Sequence, residues 1–336
     1  MHQPLLAQTN SLELESENGL FDFKLIEEIV LLENLVPQPV NINHVAFDEN
    51  YIVTGSLLQS VVILYDRKTG EQLNLIGRSG DGPFEYQRVT HIQLVNNKIY
   101  LNCAENGLIA YQLDGKGISQ VIYPSQFVSN FYVDDSENVF AVYNNQSDDN
   151  FFIDIFDFDG QKQSSNLGVG NDNERWLSPF TNGGGIYLDT PNLIYVLKDE
   201  NKIVRHNINT GVSESVTLKN ERFKSPPLTK SSEQMRSDPT ALFDFILNRS
   251  MGSSLYKYEN YYFHEIDHRD KQTSNYSEFQ ILNDNFEQLD SIVIDNPTTK
   301  LLNEFSLNSF KNQIAYFRAD EVTDRNLLFI VEINKK

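Results

Sequence analysis

The chain is poor in several residue types that would point to a mechanism. It holds one cysteine, Cys103, and one tryptophan among 336 residues, so neither an internal disulfide nor a cysteine-built zinc cage is open to it. No stretch approaches the roughly 20 consecutive apolar residues that a membrane-crossing helix needs. Basic residues are scarce, 27 against 47 acidic, for a net charge of -20, and the longest basic cluster is Lys335-Lys336. Such a surface repels phosphate backbones and anionic lipid, which excludes nucleic acid as a partner. Helical periodicity is almost missing as well. Cys103 sits in the alternating stretch KIYLNCA, where a small buried hydrophobe is expected rather than a nucleophile.

What is present is the material of strands and turns. Hydrophobic residues make up 40% and aromatic ones 12%, with 22 Phe and 16 Tyr set among many Asn and Asp. That mixture favours short strands joined by tight turns and a chain able to bury a substantial core. The first residues, MHQPLLAQTNS, lack the charged start and long apolar core of a complete secretion signal. Residues 1–17 are therefore expected to be a leader or disordered stretch, and residues 18–336 a single domain.

A repeat organises that domain. An apolar strand, a polar turn ending in Gly and a second strand recur as ILYDRKTGEQL, IAYQLDGKGIS, DIFDFDGQKQS and VRHNINTGVSE, with Gly70, Gly115, Gly160 and Gly211 spaced 45, 45 and 51 residues apart. A fifth copy, FQILNDNFEQL, carries Asn285 where glycine is expected, and a sixth, LLFIVEINKK, stops at the turn. Each period holds four short apolar runs, which is one propeller blade of about 40 to 50 residues. The last copy ends before its fourth strand and would expose an unpaired edge. The run FDFKLIEEIVLL at residues 21–32 can supply that strand and close the ring. The expected fold is an all-β, six-bladed β-propeller closed by an N-terminal strand.

One interval is too long. Gly211 and Asn285 lie 74 residues apart, and the excess falls at 219–249, between blades four and five. There Asp238 suits a helix N-cap, Pro239 the first helical position, and Leu242, Phe245, Ile246 and Arg249 one face, so a short helical insertion is expected.

The stretch GRSGDGPFEYQ at 77–87 has the glycines of a phosphate loop but not the chemistry. Gly82 is followed by Pro83-Phe84 instead of the Lys-Ser or Lys-Thr of a Walker loop, and the strand THIQLV follows in place of a helix. Glycine-dependent backbone angles are the better account, with Arg78 pairing with Asp81 or Glu85. The run LIGRSGDGPFEY resembles the signature of a family of bacterial six-bladed β-propellers related to NHL-repeat propellers. Gly77, Arg78, Gly80, Gly82, Pro83, Glu85 and Tyr86 match that signature, and Phe84 stands where the family has glycine. The resemblance implies an exported, periplasmic or cell-envelope protein without an agreed activity. A lipid-attachment cysteine is not found near the start.

Several constellations suggest chemistry. HEIDH at 264–268 satisfies a zinc-protease pattern that works only on a helix; in the aromatic-rich ENYYFHEIDHRD it reads as a strand, on which His264 and His268 lie about 13 Å apart. The aspartates around Asp134 and Asp157 read as turn formers rather than calcium loops. His44, His91 and Asn130 each lead into an inner strand at equivalent positions, which places them around one mouth of the central channel. Arg78, Arg88, Arg175 and Trp176 lie on blade-linking loops. These seven are the candidate ligand-binding residues. No catalytic residue, metal site or cofactor is assigned, and no nucleophile elbow is present. The expected function is a non-enzymatic monomeric propeller binding a small molecule, glycan or protein at this face; the alternative is a metal-assisted hydrolase or lyase with the histidines as ligands.

Overall fold

The structure, a computed structural model, describes residues 13–32, 42–56, 58–104, 107–122, 128–144, 151–171, 173, 184–227, 232–269, 276–295, 308–320 and 325–336. Apolar residues alternating with polar ones form four antiparallel strands per blade. In blade two these are Val89–Val95, Lys98–Cys103, Gly107–Gln112 and Gly117–Val121, running from the channel outward. Blades one, three, four and five repeat the order, with inner strands His44–Phe47, Val128–Val133, Ile186–Asp189 and Ser250–Tyr258.

Blade six combines both ends of the chain. Asn308–Phe310, Gln313–Asp320 and Arg325–Lys335 are followed outward by the early strand Phe21–Leu31, with Phe23 opposite Ile333 and Leu31 opposite Asn326. This is the closure that the truncated repeat required. The early strand seals two seams at once. Phe21 and Phe23 pack with Phe263 and Phe279 of blade five, whereas Ile29 and Leu31 pack with Val45 and Phe47 of blade one. All four are odd-numbered, and a strict period of two would turn them to one face. A register shift between Leu25 and Glu27 inserts the extra residue that reverses the parity. Each of these fully buried side chains contributes roughly 1.5–3 kcal/mol through its burial.

Residues 13–17, outside the fold on the sequence reading, belong to this blade. Glu13–Glu15 add a fifth strand beside residues 22–24, and Ser16 is buried. The Ser16 backbone N–H reaches the Phe21 carbonyl at 3.0 Å, and Asp290 accepts from the N–H groups of Asn18 and Leu20.

The turns follow the repeat with one correction. Gly70, Gly115, Gly160 and Gly211 all have left-handed backbone angles. In the fifth copy the left-handed residue is Phe286, at φ 60°, not Asn285. Asn283 starts this turn by accepting the Asn285 and Glu287 N–H groups, so the register sits one residue later. Burial of Phe286 against Tyr262, with the Arg205 guanidinium 4.4 Å above its ring, offsets the backbone cost.

The insertion forms helices at Ser232–Ser237 and Pro239–Ile246 between blades four and five, with Asp238 accepting the Ala241 N–H as N-cap. Leu242, Phe245 and Ile246 pack with Met251. Because outer strands end, and inner strands begin, at the same end of the channel, the 77–88 loop and this insertion both emerge on the face that carries His44. The hairpin glycines are on the opposite face.

Candidate functional site at the channel mouth

Strand register puts the predicted polar residues on one rung. His44 lies opposite Gly55, His91 opposite Asn102 and Asn130 opposite Tyr143, each the fifth residue of its blade's second strand. On the same rung Ser254 of blade five faces Glu265, and in blade four the Gly185 carbonyl accepts from Val196 N–H at 2.9 Å. The inner-strand starts thus bring a His, a second His, an Asn, a Gly and a Ser around one end of the channel.

His44 and His91 meet across the seam of blades one and two, with ring centroids 5.4 Å apart and planes tilted by 44°. Opposite His44, Gly55 leaves room for the inner strand of blade two: a Cβ there would lie 2.6 Å from Ile92 Cδ1. The Thr90 carbonyl lies 3.0 Å from His91 Nδ1, and because a carbonyl only accepts, that nitrogen carries the proton and Nε2 keeps its lone pair. The edge of Phe131 stands 6.0 Å beyond. Burial, reinforced by the neighbouring His91, holds the His44 imidazole well below its usual range. Burial likewise brings His91 down to about 4, against the opposing pull of the Thr90 carbonyl. Both rings are therefore neutral at physiological pH. Asn130 faces the next seam, its Nδ2 donating to the Gly184 carbonyl at 3.2 Å.

The other candidates separate from this pair. Arg78, with its side chain 80% exposed, pairs with Glu85, which also accepts the Gly82 N–H at 2.8 Å. Asp81 bonds Gln87 instead. The loop is pinned outward: Tyr86 donates to the Ile76 carbonyl at 2.7 Å, Tyr111 donates to the Phe84 carbonyl at 2.8 Å, and Phe84 lies against Gly117 of the outer strand. Phe84 has φ 56°, the left-handed angle for which the family signature uses glycine. Arg88 is exposed at the entrance to the inner strand of blade two, its carbonyl accepting the Ala104 N–H. Arg175 and Trp176 lie outside the described residues.

Sequence reading missed a second polar assembly, between blades four and five. Arg249 and Asp199, both with fully buried side chains, pair at 2.7 Å; Asp199 also accepts from Asn173 at 2.7 Å and Ser225 at 3.0 Å. Arg249 further donates to the Pro226 carbonyl and stacks 3.7 Å from the Phe245 ring, which ties the insertion to blade four. Beside it, Ser250 Oγ lies 2.8 Å from His268 Nδ1, and His268 Nε2 lies 3.0 Å from Glu278. Burial would raise the Glu278 carboxyl, but the bond from His268 and the charge of Arg222 outweigh it and hold it low. The order resembles a hydrolytic triad, yet Ser250 is 1% exposed and its oxygen accepts the Lys224 N–H at 2.9 Å. It ties the strap at 220–224 to blade five and offers no nucleophile to the channel. Register could have revealed it: Ser250 pairs with His268, and His268 pairs with Tyr276, two residues from Glu278.

HEIDH falls on the strand Tyr261–His268, as its aromatic setting requires. Its Glu265 is buried beneath the Ser253-Ser254 bulge, and desolvation, opposed in part by the Ser253, Ser254 and Ser277 hydroxyls, pushes its carboxyl up to about 7. Asp134 caps its own turn through the Asn138 and Val139 N–H groups, and Asp157 does so through Asp159 and Gln161.

With this geometry in place, the comparisons define the class. The chain belongs to the DUF5128 family, a 6-bladed beta-propeller family whose profile matches residues 32–290. Its fold is similar to that of a Bacteroides fragilis protein described as exported, with TM-score 0.66 and 15% identity over 95% of this chain and 97% of that one. It is also similar to a DUF4221-family member from Bacteroides vulgatus, with TM-score 0.64 and 10% identity over 94% and 99%. A protein of unknown function from Bacteroides caccae follows at TM-score 0.50 and 9% identity over 84% and 93%. No curated protein matches the sequence. Among the described residues no helix is long and apolar enough to cross a membrane.

Proposed function

We propose that this chain is a non-enzymatic binding propeller of the cell envelope, which engages a small-molecule, glycan or protein partner at the channel mouth formed by His44, His91 and Asn130. One observation carries the reading: three successive blades set uncharged polar side chains on a single rung at the same end of the channel. Neutral rings and an amide suit a ligand recognised by hydrogen bonds rather than by charge. The envelope location is supported by the likeness to a protein described as exported. The Ser250–His268–Glu278 line lends no support to a hydrolase reading, because Ser250 is closed to solvent.

The test is native mass spectrometry of the protein isolated from its own source. A bound mass retained by the wild type and lost in a His91→Ala, Asn130→Ala variant is expected. A mass retained equally by both would move the binding site away from this mouth.

A further inference from the structure

Every blade turns its outermost strand to solvent, and an uncovered strand edge is a template for pairing with another chain. Most blades of this ring blunt that edge. The outer strands of blades one, two, three and five, and the Phe21–Leu31 strand of blade six, are each broken by a register shift against their inner neighbour. Blade five is also covered by the early chain, where the Glu17 N–H reaches the Ser291 carbonyl, and blade six ends in the short strand Glu13–Glu15. Among the described residues, Ser213–Thr217 of blade four is the one outer strand of more than three residues that keeps its register throughout, and it holds neither lysine nor proline.

Register shows which of its backbone groups are free. The Leu218 N–H bonds the Asn201 carbonyl and the Asn207 N–H bonds the Val212 carbonyl, both inside the sheet. Antiparallel ladders alternate, so Glu214 and Val216 also bond inward, and the N–H and carbonyl groups of Ser213, Ser215 and Thr217 point outward. Among the described residues no hydrogen bond reaches those outward groups. Ser213 and Ser215 turn their side chains towards blade three, where they line a cleft of 290 Å³ with Leu167, Tyr195 and Val204 and the exposed Val169 at its rim. On the other face the exposed Val216 flanks Glu214, whose carboxylate meets Arg205 at 2.6 Å.

We propose that this edge takes up one extended, basic peptide segment of a partner protein as a fifth strand of blade four. The surface is separate from the channel mouth and independent of the function proposed there. Main-chain bonds to Ser213, Ser215 and Thr217 supply the attraction, and the added residue opposite Ser215 sends its side chain into the cleft, whose apolar lining suits a leucine-like group. Its neighbours lie opposite Glu214 and Val216, where a lysine or arginine opposes the carboxylate. Charge selects the occupant. A chain of net charge -20 draws a basic segment, whereas a second copy would bring the same negative charge against it.

The experiment uses the full chain and a blocked, fluorescently labelled peptide, Lys-Thr-Lys-Leu-Lys-Thr-Lys, followed by anisotropy. Binding is expected, together with slowed hydrogen exchange over 212–218 and unchanged exchange on the outer strand of blade two. The same peptide N-methylated at its leucine and both threonines keeps its charge and side chains but loses the main-chain donors, and it should bind roughly tenfold more weakly. Ser215→Pro should weaken binding to a similar degree, because its ring replaces an outward N–H and leaves the inward ladder intact. The comparison of the two peptides on the wild type decides the matter even if this variant does not fold. Equal binding of both peptides, exchange slowed only outside 212–218, or no binding at all would each overturn the proposal. So would a dimer of this chain through the same edge, seen as concentration-dependent sedimentation that Ser215→Pro abolishes.

Discussion

Two regions of the same ring treat their histidines in opposite ways. Within blade five, His268 is clamped by Ser250 and Glu278 of the same sheet, and at the border with blade four Arg249 is held by Asp199 and two carbonyls. Between blades one and two, His44 and His91 face each other with a single carbonyl bond between them. The first region spends its polar groups on one another and on the insertion, so it is structural. The second leaves donor atoms unspent at the mouth. Satisfied hydrogen bonding, more than residue type, separates a fastening from a site.

The contrast can be broken most severely at Arg249. Arg249→Ala leaves Asp199 buried with its charge uncompensated, and a loss of about 3–5 kcal/mol in urea unfolding is expected. A loss below 1 kcal/mol would mean that the seam is not fastened there. Next in size is a pH effect at Glu265. Its folded-state carboxyl, pushed up to about 7, binds a proton more tightly than in the unfolded chain. Its stability contribution is therefore full below the unfolded value near 4.5 and disappears as pH rises through 7, by at most about 3 kcal/mol. Glu265→Gln should flatten that decline in unfolding midpoints measured from pH 4 to 8.

Ser250→Ala should cost about 1–3 kcal/mol, because His268 Nδ1 and the Lys224 N–H both lose a partner. Faster proteolysis at 220–227 would locate the loss in the strap, and unchanged cleavage there would refute the assignment. The smallest neutral-pH effect belongs to His91→Asn, expected to stay within about 1 kcal/mol because few bonds are lost. Its signature lies at acid pH. The lowered folded-state affinity of His91 for protons means that stability is present above the unfolded value near 6.5 and falls as pH drops towards 4. The Asn variant should lose part of that acid decline; an unaltered acid limb would show that His91 is not held neutral.

Much of the architecture was legible before any coordinates, because blade hairpins are local. Gly70, Gly115, Gly160 and Gly211 mark turns whose backbone angle only glycine takes without strain, and the truncated sixth repeat pointed to Phe21–Leu31 as its missing strand. Where tertiary packing overrode local preference, reading failed. Phe286 holds a left-handed angle in place of Asn285 because its ring is buried against Tyr262. Residues 13–17 look like a polar leader, yet Ser16 and Asn18 find Asp290, more than 270 residues away. The mouth was half legible: equal repeat phase aligned His44, His91 and Asn130 but not the ring pairing, and the sequence offered Glu85 as one of two partners for Arg78 but not the outward pinning of their loop.

The sequence alone determined the number of blades, their order and the strand that closes them, since strand period, turn chemistry and repeat length act over a few residues at a time. Only the tertiary structure decided which polar groups meet across a seam. Those meetings depend on register shifts, such as the one after Leu25 that turns a single strand towards both of its neighbours, and on distances between blades that no local pattern encodes.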